Sequence, residues 1–120
     1  MSNQKPHVTL YHNPRCSKSR KTLQLLQEKG YEPEIIHYLK TPPNREKLAE
    51  ILLLLNMKPR DLMRKKEQAY NENRLNDPGL SHAELIDAMV HHPILIERPI
   101  VLANKKAALG RPPANVFTIL

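Results

Sequence analysis

The sequence predicts an α/β domain, and three observations carry that reading. A strand, a helix and a second strand follow one another between His7 and Leu39; an apolar stripe at helical spacing comes next; and two short strands follow Pro99. The first strand is His7-Val8-Thr9-Leu10-Tyr11, which alternates apolar and polar residues and stops at Asn13-Pro14. Ser17 to Lys29 reads as a helix ended by Gly30, and Glu34 to Leu39 as a second strand, with enough chain between the strands for a right-handed parallel crossover. Cys16 therefore falls between a strand and the N-terminus of a helix.

Leu48, Ile51, Leu52 and Leu55 recur at the spacing of one helix face and form a core stripe. Pro59 starts a short helix expected to carry Leu62, Met63 and Arg64, and Ser81-His82-Ala83-Glu84 is a capping box opening a helix that stops near Pro93. Ile86, Met89 and Val90 are expected on that helix's inward face. Ile100 to Ala103 forms a strand, Asn104-Lys105-Lys106 a turn, Ala107 to Leu109 a weaker strand, and Pro113 begins a last helix. The order matches a single thioredoxin-like (glutaredoxin-like) domain over 1–120, a mixed four-stranded sheet with a helical region inserted at about 42–93.

Composition narrows the function classes. Lys and Arg number 19 against 12 Asp and Glu, a formal charge of +7, yet no basic tail gathers it, so most of these cations are expected on a solvated surface. With four Tyr, one Phe and no Trp, stacking platforms for nucleic acid are scarce, and no zinc-finger or RNA-recognition spacing occurs, so no direct nucleic-acid binding is expected. The longest apolar run, Ile51 to Leu55, is far too short to cross a bilayer, and the opening MSNQKPHVTLY lacks a signal peptide's apolar stretch. No membrane contact and a cytoplasmic location are expected. The single cysteine excludes an intramolecular disulfide and a multi-cysteine metal cage. His91-His92 are adjacent and do not share a helix face, so no metal site is expected there either.

One constellation carries chemistry: His12-Asn13-Pro14-Arg15-Cys16-Ser17-Lys18-Ser19-Arg20. A cysteine before a helix meets free amides and the positive end of the helix dipole, and Arg15, Lys18 and Arg20 add cationic charge, so its pKa is expected to fall from about 8.5 toward roughly 6 to 7. Ser17 and Ser19 are expected to add hydroxyl donors to the sulfur, and His12 to tune it. A dithiol mechanism needs a second cysteine where Ser19 stands, and a phosphatase-type loop needs arginine where Thr22 stands. What remains is a monothiol nucleophile, suited by its charged surroundings to an anion and resolved by an outside thiol.

Through YHNPRCSKSR, LMRK, HHPILIERPIV and GRPP, from Tyr11 onward, the chain resembles the glutaredoxin-linked bacterial arsenate reductases and an uncharacterised branch related to them. The resemblance implies a thioredoxin-like fold, reduction of arsenate or a similar oxyanion, glutathione and glutaredoxin as partners, and glutathione as reductant with no bound cofactor. It implies Cys16 as nucleophile, supporting roles for His12 and Ser19, oxyanion-binding arginines at Arg64, Arg98 and Arg111, and a cis Pro99 shaping the loop opposite Cys16. Arginine's planar, permanently charged fork suits a tetrahedral anion that an anionic thiolate must attack. Ser17-Lys18 depart from the Gly-Thr more common after the cysteine in such reductases. Two other readings therefore stand beside this one: a redox-related regulator binding RNA polymerase, whose Cys-x-x-Cys switch Ser19 removes, and a glutathione-dependent thiol transferase.

Overall fold

In the computed structural model, which describes residues 5–120, the first helix shows how local sequence fixes the chain's path. Residues 1–4, part of the expected domain and of the opening read for a leader, lie outside the described residues. Helix α1, Ser17–Glu28, starts after Cys16, whose backbone is extended at φ −93° and ψ 122°. It ends where Gly30 turns left-handed at φ +84°. The Gly30 amide donates to the Gln27 carbonyl at 3.0 Å and the Tyr31 amide to Leu26 at 2.9 Å, closing the last turn through a residue without a Cβ.

Two compact units are present: Leu39–Glu97, and the described residues through Tyr38 together with Arg98–Leu120. The helical unit therefore spans 39–97, where the sequence placed the insertion at about 42–93.

The sheet belongs to the other unit. Its strands, β1 (Thr9–Tyr11), β2 (Glu34–Ile36), β3 (Ile100–Ala103) and β4 (Lys106–Leu109), lie in the order β2-β1-β3-β4. β1 pairs parallel with β2, with Leu10 opposite Ile35, and antiparallel with β3, with Leu10 opposite Val101; β3 and β4 are antiparallel. The sheet is thus mixed and four-stranded, as expected. Both N-terminal strands are shorter than the alternation suggested. β1 begins at Thr9, and β2 ends at Ile36 because β1, its one neighbour, has turned away by Asn13; the last link is the His12 amide on the Ile36 carbonyl at 2.9 Å. At the hairpin, Asn104 and Lys105 both take positive φ, 54° and 61°, the geometry of a two-residue turn whose twist suits the strands. That leaves Lys106 paired with Ala103, so β4 starts one residue earlier than expected.

Val8, Leu10, Leu26, Val101, Ala103, Ala108, Val116 and Ile119 form this unit's core, with strand residues meeting α1 and the C-terminal 3-10 helix Pro113–Ile119. Strand alternation and helical spacing therefore converge on one apolar cluster.

In the helical unit, α2 (Arg45–Leu55) is capped by the Asn44 side chain, which accepts from the Lys47 amide at 2.8 Å. Leu48, Ile51 and Leu52 are buried and Leu55 half-buried. The Pro59 helix is a 3-10 helix ending at Leu62, so it does not carry Met63 or Arg64: Met63 bridges to Ile96, and the Arg64 amide donates to the Leu95 carbonyl at 2.7 Å. A short helix α3, Gln68–Glu72, was not anticipated. Helix α4, His82–His91, opens with the expected reciprocal cap, Glu84 amide to Ser81 Oγ at 3.1 Å and Ser81 amide to Glu84 Oε1 at 2.9 Å. Its fully buried positions are Leu85 and Met89; Ile86 and Val90 flank them half-buried, so the inward face is rotated from the expected one. No helix among the described residues is long and apolar enough to cross a membrane.

Candidate active site

Between β1 and α1 the chain makes one tight turn, and Asn13 builds it. Asn13 Oδ1 accepts from the Arg15 amide at 3.0 Å, and its carbonyl accepts from the Cys16 amide at 3.0 Å. Cys16 is thereby set at the N-cap of α1, where the first helix amides have no partner within the helix itself. It is buried, with 8% of its surface exposed.

Burial alone would raise the Cys16 pKa. Against it act hydrogen bonding from the Arg98 side chain, the Ser19 amide, the Arg98 charge and the Lys18 amide, and the net result is a thiol below its ordinary value. The downward direction matches the expected one, but its electrostatic source differs. Arg15, Lys18 and Arg20 are exposed, and Arg20 is turned onto the Pro14 carbonyl at 3.0 Å; the cation that bears on sulfur is Arg98.

The serines also differ from expectation. Ser17 is exposed. The Ser19 hydroxyl lies 2.7 Å from His12 Nδ1 and accepts from the Asn13 amide at 3.1 Å, so what Ser19 offers Cys16 is its backbone N–H. His12 is buried, and its pKa is lowered by that burial first, then by His37, whose ring centroid is 6.1 Å away, then by Arg20. The ring is therefore neutral near pH 7. With the Asn13 amide already donating to Oγ, the Ser19 proton is available to a neutral Nδ1.

Arg98 is held from the other end of the unit. Arg111 Nε donates to the Arg98 carbonyl at 2.9 Å, and the Gly110 amide donates to the Pro99 carbonyl at 2.9 Å. Both the Arg98–Pro99 and Arg111–Pro112 peptides are cis, the first being the geometry that the resemblance implied for Pro99. A Cβ at Gly110 would lie 2.5 Å from Thr22 Oγ1 and 2.6 Å from Pro99 Cγ, so glycine is what lets this loop close against α1.

The sheet unit thus contains Cys16, His12, Ser19, Arg98, Pro99 and Arg111, linked by Arg98 on Cys16, Ser19 on His12 and Arg111 on Arg98. Arg64 belongs to the helical unit, where Nε donates to Glu67 at 3.0 Å and Nη1 to Glu97 at 2.8 Å. His37 and the hydrogen-bonding role of Asn13 were not read from the sequence. Asn13-Pro14 was legible as a turn, but nothing in the pattern gave His37 a ring neighbour. Among the described residues no group of three or more His, Cys, Asp or Glu side chains could hold a metal ion.

Residues 11–119 match the model of the ArsC family. The uncharacterized protein YfgD of Escherichia coli is 54% identical over 114 residues, covering 94% of this chain and 96% of its own. The arsenate reductase of Neisseria meningitidis serogroup A is 47% identical over 116 residues, covering 96% of this chain and 99% of its own. Among solved structures, the arsenate reductase from Vibrio cholerae superposes with a TM-score of 0.95 at 47% identity, covering 98% of this chain and all of its own.

Proposed function

Because the chain belongs to the ArsC family, we propose that it reduces arsenate to arsenite with Cys16 as nucleophile. The observation that carries the reading is the Cys16 sulfur beside the Arg98 guanidinium and the Ser19 and Lys18 amides, a thiolate built next to a permanent cation. The arsenate reductases of Neisseria meningitidis and Vibrio cholerae, each near half-identical over almost the whole chain, supply the substrate class.

The Cys16 thiolate attacks arsenic and an arsenate oxygen leaves as water after protonation, giving a sulfur–arsenic(V) adduct. Within the sheet unit Arg98 and Arg111 take the oxyanion's negative charge, which lowers the repulsion between two anions; the resemblance implies an oxyanion-binding role for Arg64 as well. A glutathione thiolate then attacks the Cys16 sulfur; the sulfur–arsenic electron pair passes to arsenic, arsenite leaves, and a Cys16–glutathione disulfide remains. Glutaredoxin attacks the glutathione sulfur and frees the Cys16 thiolate. An outside thiol is required because Ser19 stands where a resolving cysteine would be. His12 and Ser19 support the turn that presents Cys16. The cytoplasm, where glutathione is kept reduced, is the compartment that suits this chemistry.

The test is arsenate-dependent NADPH consumption in a coupled system of glutathione, glutathione reductase and glutaredoxin. Turnover that is abolished in Cys16→Ser and weakened in Arg98→Ala and Arg111→Ala supports the reading. A wild-type protein that never consumes NADPH in response to arsenate overturns it.

A further inference from the structure

Arg64 is built into a pair of carboxylates by the backbone itself. Met63 and Ile96 form an antiparallel bridge, flanked by the Glu97 amide on the Leu62 carbonyl at 2.8 Å and the Arg64 amide on the Leu95 carbonyl at 2.7 Å. Residues 64 and 97 each lie one step from that bridge, so their side chains leave the same face, opposite to Met63 and Ile96. Both are only a quarter exposed, and Arg64 Nη1 donates to Glu97 Oε1 at 2.8 Å while Nε donates to Glu67 Oε2 at 3.0 Å. Two carboxylates thus face one guanidinium.

The cleft at this point, about 450 Å³, is ample for a tetrahedral oxyanion and is lined by Arg64, Lys65 and Lys66 together with Asp61, Met63 and Glu97. An anion arriving at Arg64 meets a cation already neutralised, with Glu97 as its nearest negative neighbour on the lining. Like charges at such range repel strongly in a partly desolvated cleft.

We propose that Glu97 sets the oxyanion affinity of this protein by competing with the incoming anion for Arg64, so that binding requires the anion to displace the Glu97 carboxylate. The proposal rests on the arsenate reading above and on the oxyanion-binding role that the resemblance implies for Arg64. Glu97 is then an affinity-determining residue that takes no part in bond making. Glu67, on Nε, holds the guanidinium plane while Nη1 is exchanged from Glu97 to the substrate.

The experiment is calorimetric titration of arsenate into Cys16→Ser protein, where no chemistry follows binding, with and without Glu97→Gln. Glutamine keeps the shape and removes the charge. Tightening of about fivefold or more is expected, on the scale of a partly exposed ion pair, and the gain should vanish when Arg64→Ala is added. Unchanged or weaker binding in Glu97→Gln overturns the proposal and makes Glu97 a support that orients Arg64. If Glu97→Gln does not fold, Glu97→Asn carries the same prediction and the same refutation. Turnover in the wild type with no tightening sinks this inference alone. Tightening without wild-type turnover sinks arsenate reduction alone, and no arsenate binding in any variant sinks both.

Discussion

The Ser19 hydroxyl sits 2.7 Å from Nδ1 of His12, while the Ser19 amide faces Cys16. One residue therefore serves two neighbours through different groups: its side chain fixes the histidine and its backbone favours the thiolate. Replacing Ser19 with Ala leaves the Asn13 amide and His12 Nδ1 without this partner in a buried setting and should destabilise the protein by about 1–3 kcal/mol. The His12 ring titration, followed by NMR, should have its midpoint below 6.5 in the wild type and move upward in Ser19→Ala, since a donor to neutral Nδ1 is lost. A midpoint unmoved by the substitution would show that the hydroxyl does not donate to the ring.

His12 also predicts a pH dependence of stability. Its folded pKa is lowered, so the unfolded chain binds the proton more readily. The contribution is complete above about pH 6.5 and is lost as pH falls through the lowered folded value. Denaturant midpoints for wild type and His12→Asn should converge on acidification across that window. Parallel curves would remove His12 as their cause.

Cys16 follows the same logic in another range. Its folded pKa is depressed, so the stabilisation is full above the unfolded thiol value of about 8.5 and is lost as pH falls through the folded value. Alkylation rate against pH should give a midpoint below that of free cysteine. Arg98→Ala should push it upward, whereas Arg15→Ala and Arg20→Ala should leave it nearly in place. A large shift on losing Arg15 would return the effect to the local cations.

How much of this was legible in the sequence depended on separation along the chain. The capping box at Ser81, the stop at Gly30 and the placement of Cys16 between a strand and a helix are decided by residues within a few positions of one another, and they read correctly. Arg98 on Cys16 joins distant segments, and no spacing rule singles it out among 19 basic residues. The run Ile51 to Leu55 is apolar throughout, yet five consecutive helical residues cannot share one face, and Leu53 is left 82% exposed. Helix α3 buries only Tyr70 and so gave no periodic signal. Arg64 shows a different gap: the family resemblance suggested a role, but only side-chain geometry revealed its two carboxylates.

Gly110 links the loop at Pro99 to α1 by having no side chain. Gly110→Ala should force Thr22 or Pro99 to move and cost about 1–3 kcal/mol, measured as a lower unfolding midpoint. Because Pro99 follows Arg98, the Cys16 alkylation midpoint should rise in the same variant. Wild-type stability and reactivity in Gly110→Ala would show that the loop closes with room to spare.

In the proposed reaction Cys16 attacks arsenate alone and is released by an outside thiol. The most direct measurement is the mass of the Cys16 peptide after incubation with arsenate and glutathione, quenched by alkylation before glutaredoxin is added. A glutathione adduct confined to Cys16, dependent on arsenate and removed by glutaredoxin, is the predicted result. Arsenite accumulating over repeated turnovers while the Cys16 peptide stays unmodified, or turnover sustained by thioredoxin as sole thiol partner, would contradict it.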